Sequence, residues 1–153
     1  MPGYGLAAAS EGAGLLAWTW AVERLARSHN YWVATVWPGG RPHLTAVWGV
    51  WFEGRFVFSC GHESRKARNL AANPEVVVST ESADEAVIVE GNAAEDVAED
   101  ALARFLDVYE AKYSWRLDPE HDRIFAVQPR TVFGFIEHDG QFAQTATRWT
   151  FDV

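Results

Sequence analysis

A single cysteine, Cys60, in 153 residues leaves no internal disulfide, no CxxC redox pair and no cysteine-based zinc cluster. No run of about 20 apolar residues occurs, so no membrane span is expected. Basic residues are scarce: 13 Lys and Arg stand against 21 Asp and Glu, a net charge of -8. That balance argues against a nucleic-acid partner, which would need a basic face to offset phosphate charge. Small anionic ligands stay open, because a local basic site can sit on an acidic body. The chain also lacks a GxSxG elbow, an HExxH helix and a Walker-type loop. Its N-terminus lacks the charged-then-apolar order of a secretory signal, so a cytoplasmic protein is the expectation.

What is present is a series of apolar, strand-like runs, with 48% hydrophobic residues excluding a disordered chain. Residues 1 to 11 carry Gly, Ala and Ser and read as a loose arm. Leu15, Trp18, Val22, Leu25 and Ala26 recur at helical spacing, which predicts an amphipathic helix from Leu15 to Arg27. Tyr31 to Trp37 is rich in aromatic and β-branched residues and ends at Pro38-Gly39-Gly40, a turn signal. His43 to Phe52 reads as one long second strand before the Glu53-Gly54 turn, Arg55 to Cys60 as the third, and Glu75 to Thr80 as the fourth. A turn at Ser82 to Glu85 leads to a fifth, Ala86 to Glu90. Asp96 to Lys112 keeps a stripe of Val97, Ala101, Leu102, Phe105, Leu106 and Tyr109 and reads as a helix. Arg123 to Gln128 and Thr131 to Glu137 read as two strands, Asp139-Gly140 as a hairpin turn, and Gln141 to Phe151 as a last strand. Hairpin-linked strands with a few helices predict a mostly β, α+β antiparallel barrel, one domain over residues 1–153.

Between the third and fourth strands lies Ser64-Arg65-Lys66-Ala67-Arg68-Asn69-Leu70, followed by Asn73-Pro74. Ser64 is a good N-cap, and the segment reads as a short helix that stops before Pro74. A helix N-terminus offers unpaired N–H groups and partial positive charge, so it can hold an anion. Arg65 and Lys66 follow the cap directly, and Arg68 shares a face with Arg65. These cations read either as an anion grip or as the solvated face of a surface helix.

The order of elements, with Ser-Arg-Lys opening a helix after the third strand and Asn-Pro opening the fourth, resembles the pyridoxamine 5'-phosphate oxidase-like superfamily. The likeness is strongest over residues 30 to 95. It implies a split β-barrel of the FMN-binding type, a homodimer, binding FMN or the deazaflavin coenzyme F420. By that resemblance Ser64, Arg65 and Lys66 match the phosphate-binding triplet. His43, Leu44, Thr45, Ala46, Val47 and Trp48 align with the strand whose backbone runs along the cofactor ring. Phe58 and Ser59 align beside the ribityl chain, and Asn69 matches a helix position that either contacts the site or braces the turn. Two departures count against a true pyridoxamine phosphate oxidase. His43 stands where those enzymes carry a phosphate-binding arginine, and the tail reads Arg148-Trp149-Thr150 in place of their arginine and histidine pair. Gly40-Arg41-Pro42-His43 resembles the deazaflavin-dependent branch.

The resemblance therefore implies an oxidoreductase moving a hydride between coenzyme F420, the first choice, or FMN and a small conjugated organic substrate. Such a cofactor carries the reacting atoms, so the chain needs no nucleophile, and no catalytic residue is assigned. Glu90, Glu95 and Glu99 carry charge but no pattern that gives them a role. The alternative is a non-catalytic split barrel that binds flavin or haem, with His43 or His62 as axial ligand. A histidine on a strand is more often structural, and His29, His62, His121 and His138 lack metal-ligand spacing, so no metal is expected. Cys60 reads as a small strand residue. Trp48 and Trp51 fall on opposite faces of the second strand, one toward a cleft and one inward. Eight tryptophans in all, Trp149 near the C-terminus among them, suit a hydrophobic dimer surface.

Overall fold

In the computed structural model residues 15–152 are described, and the arm read over residues 1 to 11 lies outside them. Helix α1, Trp18–Arg27, starts three residues after the expected Leu15 and buries Ala21 and Leu25. Strands β1 (Tyr31–Val36) and β2 (Pro42–Val47) form a hairpin around Pro38-Gly39-Gly40. Gly39 and Gly40 sit at φ of 96° and 98°, the left-handed region where a side chain is strained.

The long second strand read from His43 to Phe52 is two strands. It breaks at Trp48, and β3 runs Gly49–Phe52. The cause is non-local. A Cβ at residue 49 would overlap the buried Phe56 ring. The Gly49 amide donates to the Tyr113 hydroxyl at 3.0 Å, and its carbonyl accepts from Lys112 and Tyr113. Strand β4 (Arg55–Gly61), helix α2 (Arg65–Ala72) and strand β5 (Glu75–Thr80) follow as expected. Strand β6, Glu85–Ala94, is longer than the Ala86 to Glu90 run, and α3, Glu99–Tyr113, begins after Asp96, whose carboxylate pairs with Arg55.

The two strands expected on either side of Pro129 are one, β7, Asp122–Ile136. Pro129 is tolerated because it lies at the β-bulge opposite Gly91. The expected final strand from Gln141 is instead a 3-10 turn, a short helix α4 (Phe142–Thr145) and a four-residue β8, Thr147–Thr150. Thr145 stops it from extending: its hydroxyl accepts from the Ile136 amide at 2.9 Å and donates to the Gln141 carbonyl at 2.8 Å.

The sheet order is β2-β1-β5-β6-β7-β4-β3, with β8 on β7, and every ladder is antiparallel. Strands β2 and β3 are thus neighbours in sequence but stand at opposite ends of the ladder order. The sheet curls so that one residue, Trp48, joins its two edges, a mostly β half-barrel with helices. Alternation along β4 explains its two-sided burial: Phe56, Phe58 and Cys60 face the interior with Val33, Val78, Val89 and Val127, while Val57 faces α3. Phe105, Tyr109 and Tyr113 of α3 cover that outer face. Trp51, Trp149 and Phe151 each pack edge-on against Trp18 beside the interior, so Trp149 is engaged within its own chain.

Candidate functional site

Helix α2 packs across β1 and β4. Ser64 caps it: its backbone is extended and its hydroxyl accepts from the Ala67 amide at 3.2 Å. Arg65 and Lys66 occupy the first turn, where a cation faces the positive end of the helix dipole. The other longer helices obey the dipole. Helix α3 carries Glu99 and Asp100 in its first turn and Lys112 in its last, and α1 carries Arg24 and Arg27 in its last. Two first-turn cations cost α2 about 0.3–1 kcal/mol each at an exposed site, a cost that an anion at the same place would offset.

The pairing of charges separates these cations from most of the others. Arg24, Arg55, Arg104, Arg116, Arg123 and Arg130 each meet a carboxylate within 2.7–3.0 Å. Among the described residues seven cations have no carboxylate partner: Arg27, Lys112 and Arg148 stand singly on α1, α3 and β8, while Arg41, Arg65, Lys66 and Arg68 group together. All four lie on α2 or on the β1–β2 turn. In a chain of net charge -8, that leaves one basic cluster unneutralised.

The structure brings His43, Arg65 and Asn69 to a common place. Asn69 is wholly buried; its amide donates to the Thr35 hydroxyl at 3.0 Å and accepts from Arg65 at 3.4 Å. It therefore braces α2 against β1. His43 lies opposite Thr35 across the β1–β2 ladder and meets the edge of Trp37, with ring centroids 6.4 Å apart. His43 Nδ1 and Thr45 Oγ1, two residues apart on the same face of β2, are buried without a hydrogen-bond partner. The contacts link His43 to Arg65 through Trp37, and the Arg65 guanidinium and the helix N–H groups beside it are donors of the kind that bind a phosphate.

Other sequence candidates lie elsewhere. Leu44, Ala46 and Trp48 point to the outer face, Leu44 being 61% exposed. Val47 and Phe58 point into the core, and Phe58 stacks between Phe56 and Phe125. Ser59 is half-buried on β4 beyond the reach of the β3 ladder. Cys60 is buried beside Ser64; burial pushes its thiol up, while the Ser64 hydroxyl and the Lys66 and Arg123 charges pull it down. His62 lines a separate cavity of about 190 Å³ with Glu95, Asp122 and Arg123, where Arg123 is already clamped by Glu95. Sequence reasoning missed Trp37 and Arg41 as members of the cluster. The available signal was a tryptophan and an arginine flanking a tight Pro-Gly-Gly turn.

Comparison with known proteins agrees with the fold. The family described as pyridoxamine 5'-phosphate oxidase matches residues 20–136. A pyridoxine/pyridoxamine 5'-phosphate oxidase of Bacteroides thetaiotaomicron is 31% identical over 121 residues, 76% of this chain and 53% of the relative. The chain thus spans about half the length of the curated relative it matches. Among solved structures, an F420 reductase is 27% identical with a TM-score of 0.59, covering 72% of this chain and 93% of that one. A haem binding protein from Mycobacterium smegmatis aligns with a TM-score of 0.67 at 18% identity, over 86% of this chain and 57% of its own. A NimC/NimA family protein from Clostridium acetobutylicum aligns with a TM-score of 0.66 at 13% identity, over 86% and 91%. The last two likenesses show the fold alone. No helix among the described residues is long and apolar enough to cross a membrane.

Proposed function

This chain belongs to the pyridoxamine 5'-phosphate oxidase family, and from that membership we propose that it is a flavin- or deazaflavin-dependent oxidoreductase using coenzyme F420 in preference to FMN. The observation that carries this is the unneutralised basic cluster on the first turn of α2. Ser64, Arg65 and Lys66 hold the cofactor phosphate, and Asn69 keeps the helix seated. Among the described residues strand β2 has β1 as its one ladder neighbour, so its other edge offers N–H and C=O groups to the polar rim of a planar ring. The backbone of His43 to Trp48 would run along that ring. The bound cofactor supplies hydride transfer to or from a small conjugated substrate. The chain's own residues bind, orient and exclude water, and none is assigned a proton.

Preference for F420 draws on the F420 reductase likeness and on His43 standing where a phosphate-binding arginine would favour a vitamin B6 oxidase. A second copy of the chain covers the outer face of β1–β2, where Trp32 and Leu44 are 45% and 61% exposed, and completes the site as a homodimer. The test is a fluorescence titration of the apo-protein with FMN and with F420, repeated on Lys66→Ala, with light scattering for the dimer. Binding of F420 that Lys66→Ala weakens about tenfold or more supports the proposal, since a charge-assisted phosphate contact contributes on that scale. Binding of neither cofactor removes it. Tight binding without turnover of any conjugated acceptor favours a non-catalytic flavin carrier.

A further inference from the structure

Six arginines of this chain are held in place by carboxylates; Arg65 and Arg41 are held by an indole. The Arg65 guanidinium carbon lies 3.6 Å from the Trp37 ring centroid and that of Arg41 lies 4.1 Å from the same centroid. Two planar guanidiniums at those distances cannot share one face, so they bracket the ring. The turn sets this up: the Trp37 amide donates to the Arg41 carbonyl at 2.8 Å and the Gly40 amide to the Trp37 carbonyl at 2.9 Å. Trp37 is half-buried and meets His43 at its edge, so the platform is fixed to β2 as well as to β1.

The choice of platform has a chemical consequence. A carboxylate that fixed Arg65 would cancel its charge and compete with an incoming anion for its N–H groups. An aromatic face attracts the cation through its quadrupole and leaves the in-plane N–H donors at the rim; on Arg65 one of them reaches Asn69 and the others stay available. We propose that Trp37 is the positioning residue of the anion grip, holding Arg65 and Arg41 ready for a phosphate by stacking in place of ion pairing. The proposal rests on the phosphate-grip reading of α2. Trp37 itself touches no ligand group in this role; it acts through the two arginines.

The test compares ligands that differ only in the phosphate: FMN with riboflavin, and the 5'-monophosphate of the F420 deazaflavin with the phosphate-free deazaflavin. Affinities are measured on the full chain for wild type, Arg65→Gln, Trp37→Leu and Trp37→Phe. Trp37→Leu is expected to cut the preference for the phosphorylated member about tenfold, and Trp37→Phe about threefold, with riboflavin or deazaflavin affinity unchanged. Should the leucine variant not fold, the phenylalanine variant decides alone. An unchanged preference in the Trp37 variants, while Arg65→Gln collapses it, overturns the positioning role and leaves the phosphate grip standing. Equal weakening of both members of a pair marks Trp37 as a support of the fold and also overturns the proposal. A wild type that does not prefer the phosphorylated member of either pair removes both readings together.

Discussion

Beside the apolar Ala67 and Leu70, one buried polar pair seats α2, and it makes the sharpest stability test. Asn69 and Thr35 are 0% and 1% exposed, and the 3.0 Å bond from Asn69 Nδ2 to Thr35 Oγ1 spans from helix to strand. Asn69→Ala removes a buried hydrogen bond, leaves the Thr35 hydroxyl short of a donor and opens a small void. An orphaned buried polar group costs about 1–3 kcal/mol, and the void adds to it, so the expected loss is about 2–3 kcal/mol. For a chain of this size that corresponds to a fall of about 4–12 °C in Tm. Thr35→Val keeps the shape, removes the hydroxyl and orphans the amide instead, for a comparable loss. The double variant has no orphan on either side. Urea unfolding of the four proteins is therefore expected to give singles whose sum exceeds the double by about 1 kcal/mol. Singles that add to within about 0.3 kcal/mol would refute a direct Asn69–Thr35 bond as the brace of α2.

Lys112 offers a pH test. Its ammonium donates to the Tyr31 hydroxyl and the Gly49 carbonyl, has no carboxylate partner, and is pushed by burial from 10.5 down to about 8. Between those values the unfolded chain binds a proton that the folded chain has released. Stability is thus expected to be lowest below about pH 8 and to rise toward pH 10.5, a rise that Lys112→Met removes. Burial pushes the Tyr109 and Tyr113 hydroxyls up to about 12, so their opposing effect is small at about pH 9. A urea midpoint equal at about pH 7 and about pH 9 in wild type contradicts this. Gly91 tests the sheet register. A Cβ there would overlap the Gln128 carbonyl, which is backbone and cannot swing away, so Gly91→Ala is expected to cost about 3 kcal/mol or more. A midpoint unchanged from wild type would contradict the bulge.

Local signals carried much of the fold. Ser64 and Asn73-Pro74 bracket α2 because capping and proline geometry act within a few residues, and β1, β4 and β5 show in their own composition. The errors arise where distant residues decide. Nothing near Trp48 announces that Tyr113 and Lys112, some sixty residues on, will bind Gly49 and break the strand there. Pro129 reads as a strand breaker until Gly91 is seen opposite it. The cations of α2 were legible, but their lack of carboxylate partners was not, since that depends on where every acidic side chain ends up. The Trp37 platform was hidden for the same reason: two arginines 24 positions apart converge on it only in three dimensions.

The central claim is that the first turn of α2 holds a cofactor phosphate. A crystal structure of the protein with F420, or with FMN should that bind more tightly, tests it directly. The phosphate is expected within hydrogen-bond distance of Ser64, Arg65 and Lys66, with the ring along β2. A cofactor bound with its phosphate away from α2 would contradict it.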